Sequence, residues 1–264
     1  FTILIKRLGG FTMNNIKVKL LNPSAAKEAE KMMVAMARLT QRGHLIQDLS
    51  DVEALLQKDY TTELVEAMSS LPHPTIQKFG LLNVIVVGAS RRFLAQITRH
   101  QNEVKFMSGS LQYSDYSNTA QFVVPYEIIS YDKENPNANL TSKYLESCAA
   151  SLATYEKLAK EVVRDAAGYA MPQGLRNVLL ISATPFQWKH MIHQRVCNRN
   201  TLETQYIMLT IWEILWDLSA MFRNCGPFCM QGSCTEGKMS CKRPFSKDLT
   251  PTEILNSRFK YLRG

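Results

Sequence analysis

Leu81-Leu82-Asn83-Val84-Ile85-Val86-Val87-Gly88-Ala89-Ser90-Arg91-Arg92-Phe93-Leu94-Ala95-Gln96-Ile97-Thr98-Arg99-His100-Gln101 is the stretch in which the chain changes its period. Leu81 to Val87 is apolar at every position but one, the pattern of a buried strand, and Gly88 reads as its end. Ser90 carries an oxygen suited to capping a helix. Beyond it Phe93, Leu94 and Ile97 fall on one face, while Arg92, Gln96, Arg99 and Glu103 recur at i, i+4, i+7 and i+11 on another. A strand feeding a helix with one strongly polar face points to a mixed fold.

The same two periods recur on either side. Upstream, Ile16-Lys17-Val18-Lys19-Leu20-Leu21 alternates apolar and charged residues as a half-buried strand does, and Asn22-Pro23 breaks it. Ser24 is expected to cap a helix with Ala29, Met32, Met33, Met36 and Leu39 at helical spacing, followed by a second helix over 52–68. The methionines read as core filling. Leu71-Pro72-His73-Pro74 interrupts the helices. Downstream, Ser108 to Ser117 reads as a loop, 132–139 as a connection and 140–167 as one long helix. Val178 to Ser182 reads as a short strand, and 186–196 and 202–222 as helices. The tail carries Cys225, Cys229, Cys234 and Cys241 among Gly, Pro and Lys, so it reads as an irregular lobe held by something other than a large core. The expected organisation is one α+β domain over 13–222 with a cysteine-containing C-terminal extension over 223–264. Residues 1–12, which precede Met13, read as upstream or appended sequence.

The chain has 264 residues, 45% of them hydrophobic and 20% charged, which excludes a disordered or collagen-like polypeptide and is long enough for a real core. Lys and Arg number 31 against 23 Asp and Glu, a formal charge of +8 that favours an anionic partner. No apolar run approaches the roughly 20 residues needed to cross a bilayer.

Two constellations carry candidate chemistry. In the first, Gln96, Arg99, His100 and Gln101 precede the small-residue loop Ser108-Gly109-Ser110-Leu111-Gln112-Tyr113-Ser114. An arginine can pair with a phosphate or a ring carbonyl, and loop N–H groups can cradle oxyanions, although a solvated helix face and a surface loop fit the same residues. In the second, His190 and His193 stand at i, i+3 without the acidic partner of a metal motif, so core or surface histidines are the plainer reading. Arg195 and Arg199 at i, i+4 call for a balancing anion, either a ligand or Glu203. Cys197 lies near both arginines, where a depressed pKa would make it a nucleophile and packing would leave it inert. The four tail cysteines form a complete thiolate set for zinc or an iron–sulfur cluster. Their spacings match no standard pattern, so a metal clip and ordinary thiols stand as equal alternatives and no metal ligand is assigned.

Taken in order, these segments resemble the flavin-dependent thymidylate synthases. The resemblance runs through His73-Pro74-Thr75, the strand 81–87, Ser90-Arg91 and Gln96-Ile97-Thr98-Arg99-His100-Gln101. It continues in the Ser/Gln loop, Tyr169-Ala170-Met171-Pro172 and Arg195-Val196-Cys197-Asn198-Arg199 with Glu203, spanning about residues 13 to 222. It implies a helix-rich α+β domain with a small antiparallel central sheet, assembled as a cytoplasmic homotetramer with sites between subunits. The implied activity is reductive methylation of dUMP to dTMP through FAD, with NADPH and methylenetetrahydrofolate as co-substrates. By position, His73, Arg99, His100 and Gln101 would contact the flavin. Gln96, Ser110, Leu111, Gln112 and Tyr113 would contact the nucleotide, and Arg195 would hold and polarise the uracil ring as the catalytic arginine. Three positions depart from the family pattern, with Gln101, Gln112 and Gly168 standing where arginines are expected. Arg91, Arg92, Lys105, Arg176 and Arg199 are the candidate replacements. The departures keep open a methylase or hydroxymethylase of another pyrimidine nucleotide. A non-catalytic nucleic-acid-binding protein is the alternative from another class, although no nucleic-acid module is apparent and no nucleic-acid partner is expected.

Overall fold

The computed structural model describes residues 15–262 apart from Ser233. The reading of residues 1–12 as appended sequence, and Met13 with it, lies outside the described residues.

Four strands form one antiparallel sheet in the order β1-β2-β4-β3, with β1 Lys17–Leu20, β2 Leu82–Ser90, β3 Val104–Ser108 and β4 Arg176–Ala183. Leu82 pairs with Ala183 on one side of the centre, and Val104 pairs with the same Ala183 on the other. Leu82, Val84 and Val86 of β2 and Leu179 and Ile181 of β4 turn one face of the sheet into the core. The opposite face is half open, with Val178 42% and Met107 74% exposed.

The longer helices supply most of the rest of the fold. They are α1 Ser24–Arg42, α2 Leu49–Gln57, α3 Thr62–Ser69, α4 Arg91–Ile97, α5 Tyr126–Glu134, α6 Leu140–Glu161, α7 Pro185–Arg195, α8 Leu202–Leu218 and α9 Pro251–Arg258. One core joins the sheet to Met33, Trp188, Trp212 and Phe222, and it also takes in Ile254, Leu255 and Phe259 of the C-terminal segment. That segment is therefore fastened to the body by apolar burial through α9. A second, smaller core gathers Phe122, Cys148, Leu152, Tyr155 and Leu175 around α6.

Several sequence expectations are corrected. Gly88 does not end β2. It lies in a bulge with φ +94°, where the register shifts between Val87 and Ala89, and the strand runs on to Ser90. Pro23, not Ser24, stands at the N-cap of α1. The expected helix over 52–68 is two, because Thr61 accepts from the Leu64 N–H and starts a new one. Helix 140–167 stops at Glu161, and the expected connection at 132–139 begins inside α5. Strand β3 has only five residues and alternates half-buried with exposed positions, too short a pattern to stand out from the loop beside it.

Ser90 caps α4 as expected, its hydroxyl accepting from the Phe93 N–H at 3.1 Å. The cap is itself held from across the core. Glu203 of α8 accepts from the Ser90 N–H at 2.7 Å and from the Ser90 hydroxyl at 2.5 Å, so it balances neither Arg195 nor Arg199. Burial pushes the Glu203 carboxyl above its ordinary range, and the two hydrogen bonds work against that rise. Removing this acceptor strands two buried donors. Glu203→Ala is expected to lose about 2 to 3 kcal/mol in a urea titration, with Glu203→Gln losing less because it keeps an acceptor oxygen.

Candidate active site

Helix α4 ends early and in doing so builds the site. Thr98 returns both its N–H and its hydroxyl to the Leu94 carbonyl, so the chain leaves the helix at Ile97 and Arg99 and His100 emerge on a turn. The helical face expected to run from Arg92 to Glu103 is therefore cut after Gln96. Glu103 takes a left-handed conformation, φ +52°, and is tied down by Lys78 at 2.6 Å and by the Thr184 hydroxyl at 2.9 Å. Thr184 is in turn the N-cap of α7, accepting from the Gln187 N–H at 3.2 Å. The turn 99–103 and helix α7 are locked side by side.

Arg195, the last residue of α7, donates from Nε to His100 Nε2 at 2.8 Å and from Nη1 to Asn200 Oδ1 at 3.4 Å. Since His100 accepts at Nε2, its ring proton sits on Nδ1. Burial first, and then the Arg195 and His190 charges, push the His100 pKa down to about 4, so the ring is neutral at pH 7. Burial and the neighbouring Arg99 lower the proton affinity of Arg195, which remains a cation. No ion pair to Arg99 or Arg195 occurs among the described residues. A cavity of about 370 Å³ opens here, lined by Arg99, His100, Gln101, Asn102 and, from α7, Gln187, His190, Gln194 and Arg195. None of these eight is acidic. A neighbouring cavity of about 530 Å³ shares Gln101, Asn102, Gln187 and His190 and adds Lys78, Phe186 and Glu103, whose charge Lys78 offsets.

Arg99, His100, Gln101 and Arg195 are thus brought together. His73 is exposed at the start of a 3-10 turn and lines neither cavity. Gln96 gives its Oε1 to the hydroxyls of Thr201 and Thr204 at the start of α8. The loop Ser110-Leu111-Gln112-Tyr113 also lies outside the Arg195 cavity of its own chain. The Ser110 hydroxyl accepts from the N–H groups of Gln112 and Tyr113, Tyr113 is 79% exposed, and Leu111 packs into the second core. A Cβ at Gly168 would stand 3.3 Å from the Leu111 side chain, a tight contact that the leucine would have to ease by a few tenths of an ångström.

Among the five candidate replacement cations, Arg91 reaches the loop, donating to the Gly109 carbonyl at 3.0 Å. Its Nε is buried without a partner. Arg92 donates to Gln173, Arg176 to Gln121 and Arg199 to the Met239 carbonyl.

Gln187 and Gln194 went unrecognised in the sequence, although with His190 their i, i+3, i+7 spacing marks the α7 face that Arg195 ends. His190 and His193 diverge. His190 contacts Gln194 and the edge of His100, whereas His193 bonds the Gly226 carbonyl through Nδ1 and stacks on Phe228. Cys197 lies just past α7 with its thiol pushed up by burial, which overturns the activated-nucleophile reading.

A buried neutral histidine holding one of two unneutralised arginines beside an antiparallel sheet defines an α+β protein with an anion-accepting polar site. The Thymidylate synthase complementing protein family matches residues 19–219, and the chain belongs to that family. The chain is similar to flavin-dependent thymidylate synthases of Clostridium tetani, at 25% identity over 88% of this chain and 95% of the relative, and of Geobacter sulfurreducens, at 20% over 86% and 94%. A third, from Thermococcus onnurineus, is 25% identical over 71% of this chain and 77% of the relative. A crystal structure of a UMP/dUMP methylase, PolB from Streptomyces cacaoi, bound with 5-Br dUMP, superimposes with a TM-score of 0.63. It does so at 14% identity, covering 80% of this chain and 94% of that one, and so shares the fold.

The depressed pKa of His100 ties stability to pH with a definite sign. The unfolded ring binds a proton below about 6.5 and the folded ring only below about 4, so stability is full above 6.5 and is lost as pH falls between those values. His190 and His193 are shifted the same way. His100→Gln is expected to flatten the urea midpoint profile between pH 6.5 and 4 without abolishing its slope.

Proposed function

We propose that this protein is a flavin-dependent thymidylate synthase, transferring the one-carbon unit of methylenetetrahydrofolate to the uracil ring of dUMP with NADPH as reductant. Membership of the family and the names of its relatives support the reaction class. The observation that carries it to this site is Arg195 held by neutral His100 next to Arg99 in a cavity without a lining carboxylate. Two guanidinium groups confined together repel, and an anionic, planar ligand relieves that repulsion.

The residues fit a flavin, since Arg99 offers charge to its phosphates, and Gln101, Asn102 and Gln194 offer neutral donors and acceptors to its ring. A flavin bound there would supply the hydride chemistry. The chain's own residues then do electrostatic work. His100 spends its acceptor on Arg195 Nε, which fixes the guanidinium plane and leaves the other N–H groups of Arg195 for a uracil carbonyl. Charge that develops on the ring during methyl transfer is stabilised by that fixed cation without reorganisation. Arg91 beneath the Gly109 backbone supplies the nucleotide loop with a positive charge that Gln112 and Gly168 lack.

A second copy of the chain completes the site in this proposal. His73 and the 110–113 loop line no part of the Arg195 cavity in their own subunit. The half-open sheet face, with Val178 and Met107 exposed, is apolar surface of the kind subunits cover. A homotetramer is the assembly the resemblance implies.

A specific feature favours a second reading, methylation of a different pyrimidine nucleotide. Gly168, where the resemblance places a phosphate-binding arginine, offers no charge and packs against Leu111, so a phosphate and sugar subsite built differently from the family's is the basis of this reading.

Arg195→Ala is expected to lower turnover of dUMP by roughly 10²- to 10³-fold with the circular dichroism spectrum unchanged, and an unaltered rate would remove its assigned role. Arg99→Ala is expected to elute from gel filtration without the flavin absorption of the parent. Competition among dUMP, UMP and dCMP separates the two substrate readings, with dUMP expected to bind tightest.

A further inference from the structure

The six cysteines divide four to two, and not as the sequence groups them. Cys225, the first of the four tail cysteines, is buried against the Lys189 carbonyl with its thiol pushed up to about 12, and Cys148 is buried beside Tyr144 in the second core. The other four, Cys197, Cys229, Cys234 and Cys241, are half-buried and line a single cavity of about 710 Å³. Cys197 comes from the loop after α7, and the other three come from the C-terminal segment that folds over it.

Two further observations mark this cavity as built for sulfur ligands. The Cys197 sulfur receives the backbone N–H of Arg199, and the Cys241 sulfur receives that of Arg243 at 3.4 Å, in both cases from the residue two ahead. The second contact is set by Lys242, which adopts a left-handed φ of +54°. Hydrogen bonds to the sulfurs stabilise thiolates and tune the centres they ligate. The charge around them is also suitable. Arg195, Arg199 and Lys242 line the cavity against one carboxylate, Glu236, so four thiolates together would meet a positive surround.

We infer that Cys197, Cys229, Cys234 and Cys241 are the ligands of an iron–sulfur cluster seated between the loop after α7 and the C-terminal segment. A single zinc would need its sulfurs about 3.8 Å apart, given Zn–S bonds of about 2.3 Å in a tetrahedron. No set of three or more His, Cys, Asp or Glu among the described residues is gathered so as to hold one ion. The four cysteines instead line one cavity of about 710 Å³, and Cys197 is close enough to the other three to interact with each electrostatically, which suits a cluster whose four irons each take one thiolate. Each thiol gives up its proton on ligation.

The proposal is independent of the flavin reading, because iron and sulfide can be counted whether or not flavin is present. Full-length protein purified without oxygen, and the same protein incubated with ferric iron, sulfide and a thiol reductant, is assayed for iron, zinc and acid-labile sulfide. It is also examined by electron paramagnetic resonance after dithionite reduction. About four irons and four sulfides per chain, with a cluster signal, are expected. Cys229→Ser and Cys241→Ser are expected to lose the sulfide and the signal, whereas Cys225→Ser and Cys148→Ser keep them. A native protein that holds neither iron nor sulfide after reconstitution overturns the proposal, and so does one that carries one zinc per chain. Loss in Cys225→Ser with retention in Cys197→Ser overturns the ligand assignment.

Discussion

The hydrogen bond from Arg195 Nε to His100 Nε2 is the contact on which the site depends, because it joins the two ends that the fold brings together. Each end is positioned from a distance. His100 leaves α4 where Thr98 closes the helix, and α4 starts where Ser90 is gripped by Glu203 of α8. Arg195 ends α7, which Thr184 caps and which Trp188 anchors by donating its indole N–H to the Leu82 carbonyl at 3.0 Å. The sheet therefore serves as the ruler between them, with β2 leading into α4 and β4 leading into α7. Burial keeps His100 neutral, which is what allows it to accept from a cation. A protonated ring would turn the same contact into repulsion, so the geometry of the site and the ionisation of one imidazole are a single constraint.

Much of this frame was legible in the sequence because it rests on period and on caps. Strands β1, β2 and β4 and helices α1, α7 and α8 were expected close to where they lie, and the role of Ser90 could be read from its place before Phe93. Errors arose where a residue type carries two meanings. Gly88 can stop a strand or bulge it, and only the partner strand decides which. Arg99 and Glu103 continue the α4 polar face by spacing, yet local back-bonding by Thr98 and the long-range pull of Thr184 and Lys78 on Glu103 take the chain out of the helix. Arg99, His100 and Arg195 could be picked out by chemical type. Their convergence could not, because 95 residues separate His100 from Arg195 and no local pattern encodes a contact of that range.

The loop 109–113, Gly168 and Arg91 pack in a connected way. Leu111 packs against Gly168, with its side chain 3.3 Å from where a Cβ at 168 would stand. A side chain at 168 would press on Leu111, so the two positions pack as a pair. With Leu111 drawn into the second core, the loop backbone at Gly109 approaches Asn177 and Arg91. A Cβ at 109 would stand 2.7 Å from Asn177 Oδ1, so this position is held to glycine by close packing. Arg91 is thereby placed below the loop as a half-buried cation whose Nε is buried without a partner.

The loop after α7 links this polar site to the C-terminal segment. Gln194 and Arg195 line both the polar cavity and the cysteine-lined one, so the two share a wall. Asn198 donates to the Arg243 carbonyl and accepts from Arg258 of α9, while Arg199 donates to the Met239 carbonyl. Arg258 is therefore fixed through Asn198 to the strand of chain that carries Cys241, and the apolar residues of α9 fix Arg258 to the main core. Asn200 closes the circuit by accepting from Arg195 and donating to the Gln194 carbonyl. Disturbing the segment 239–243 thus reaches Arg195 through one short loop of five residues, 196–200, whose side chains are committed at three positions. The tail acts as a buttress for the arginine, and its cysteines lie where that buttress meets the site.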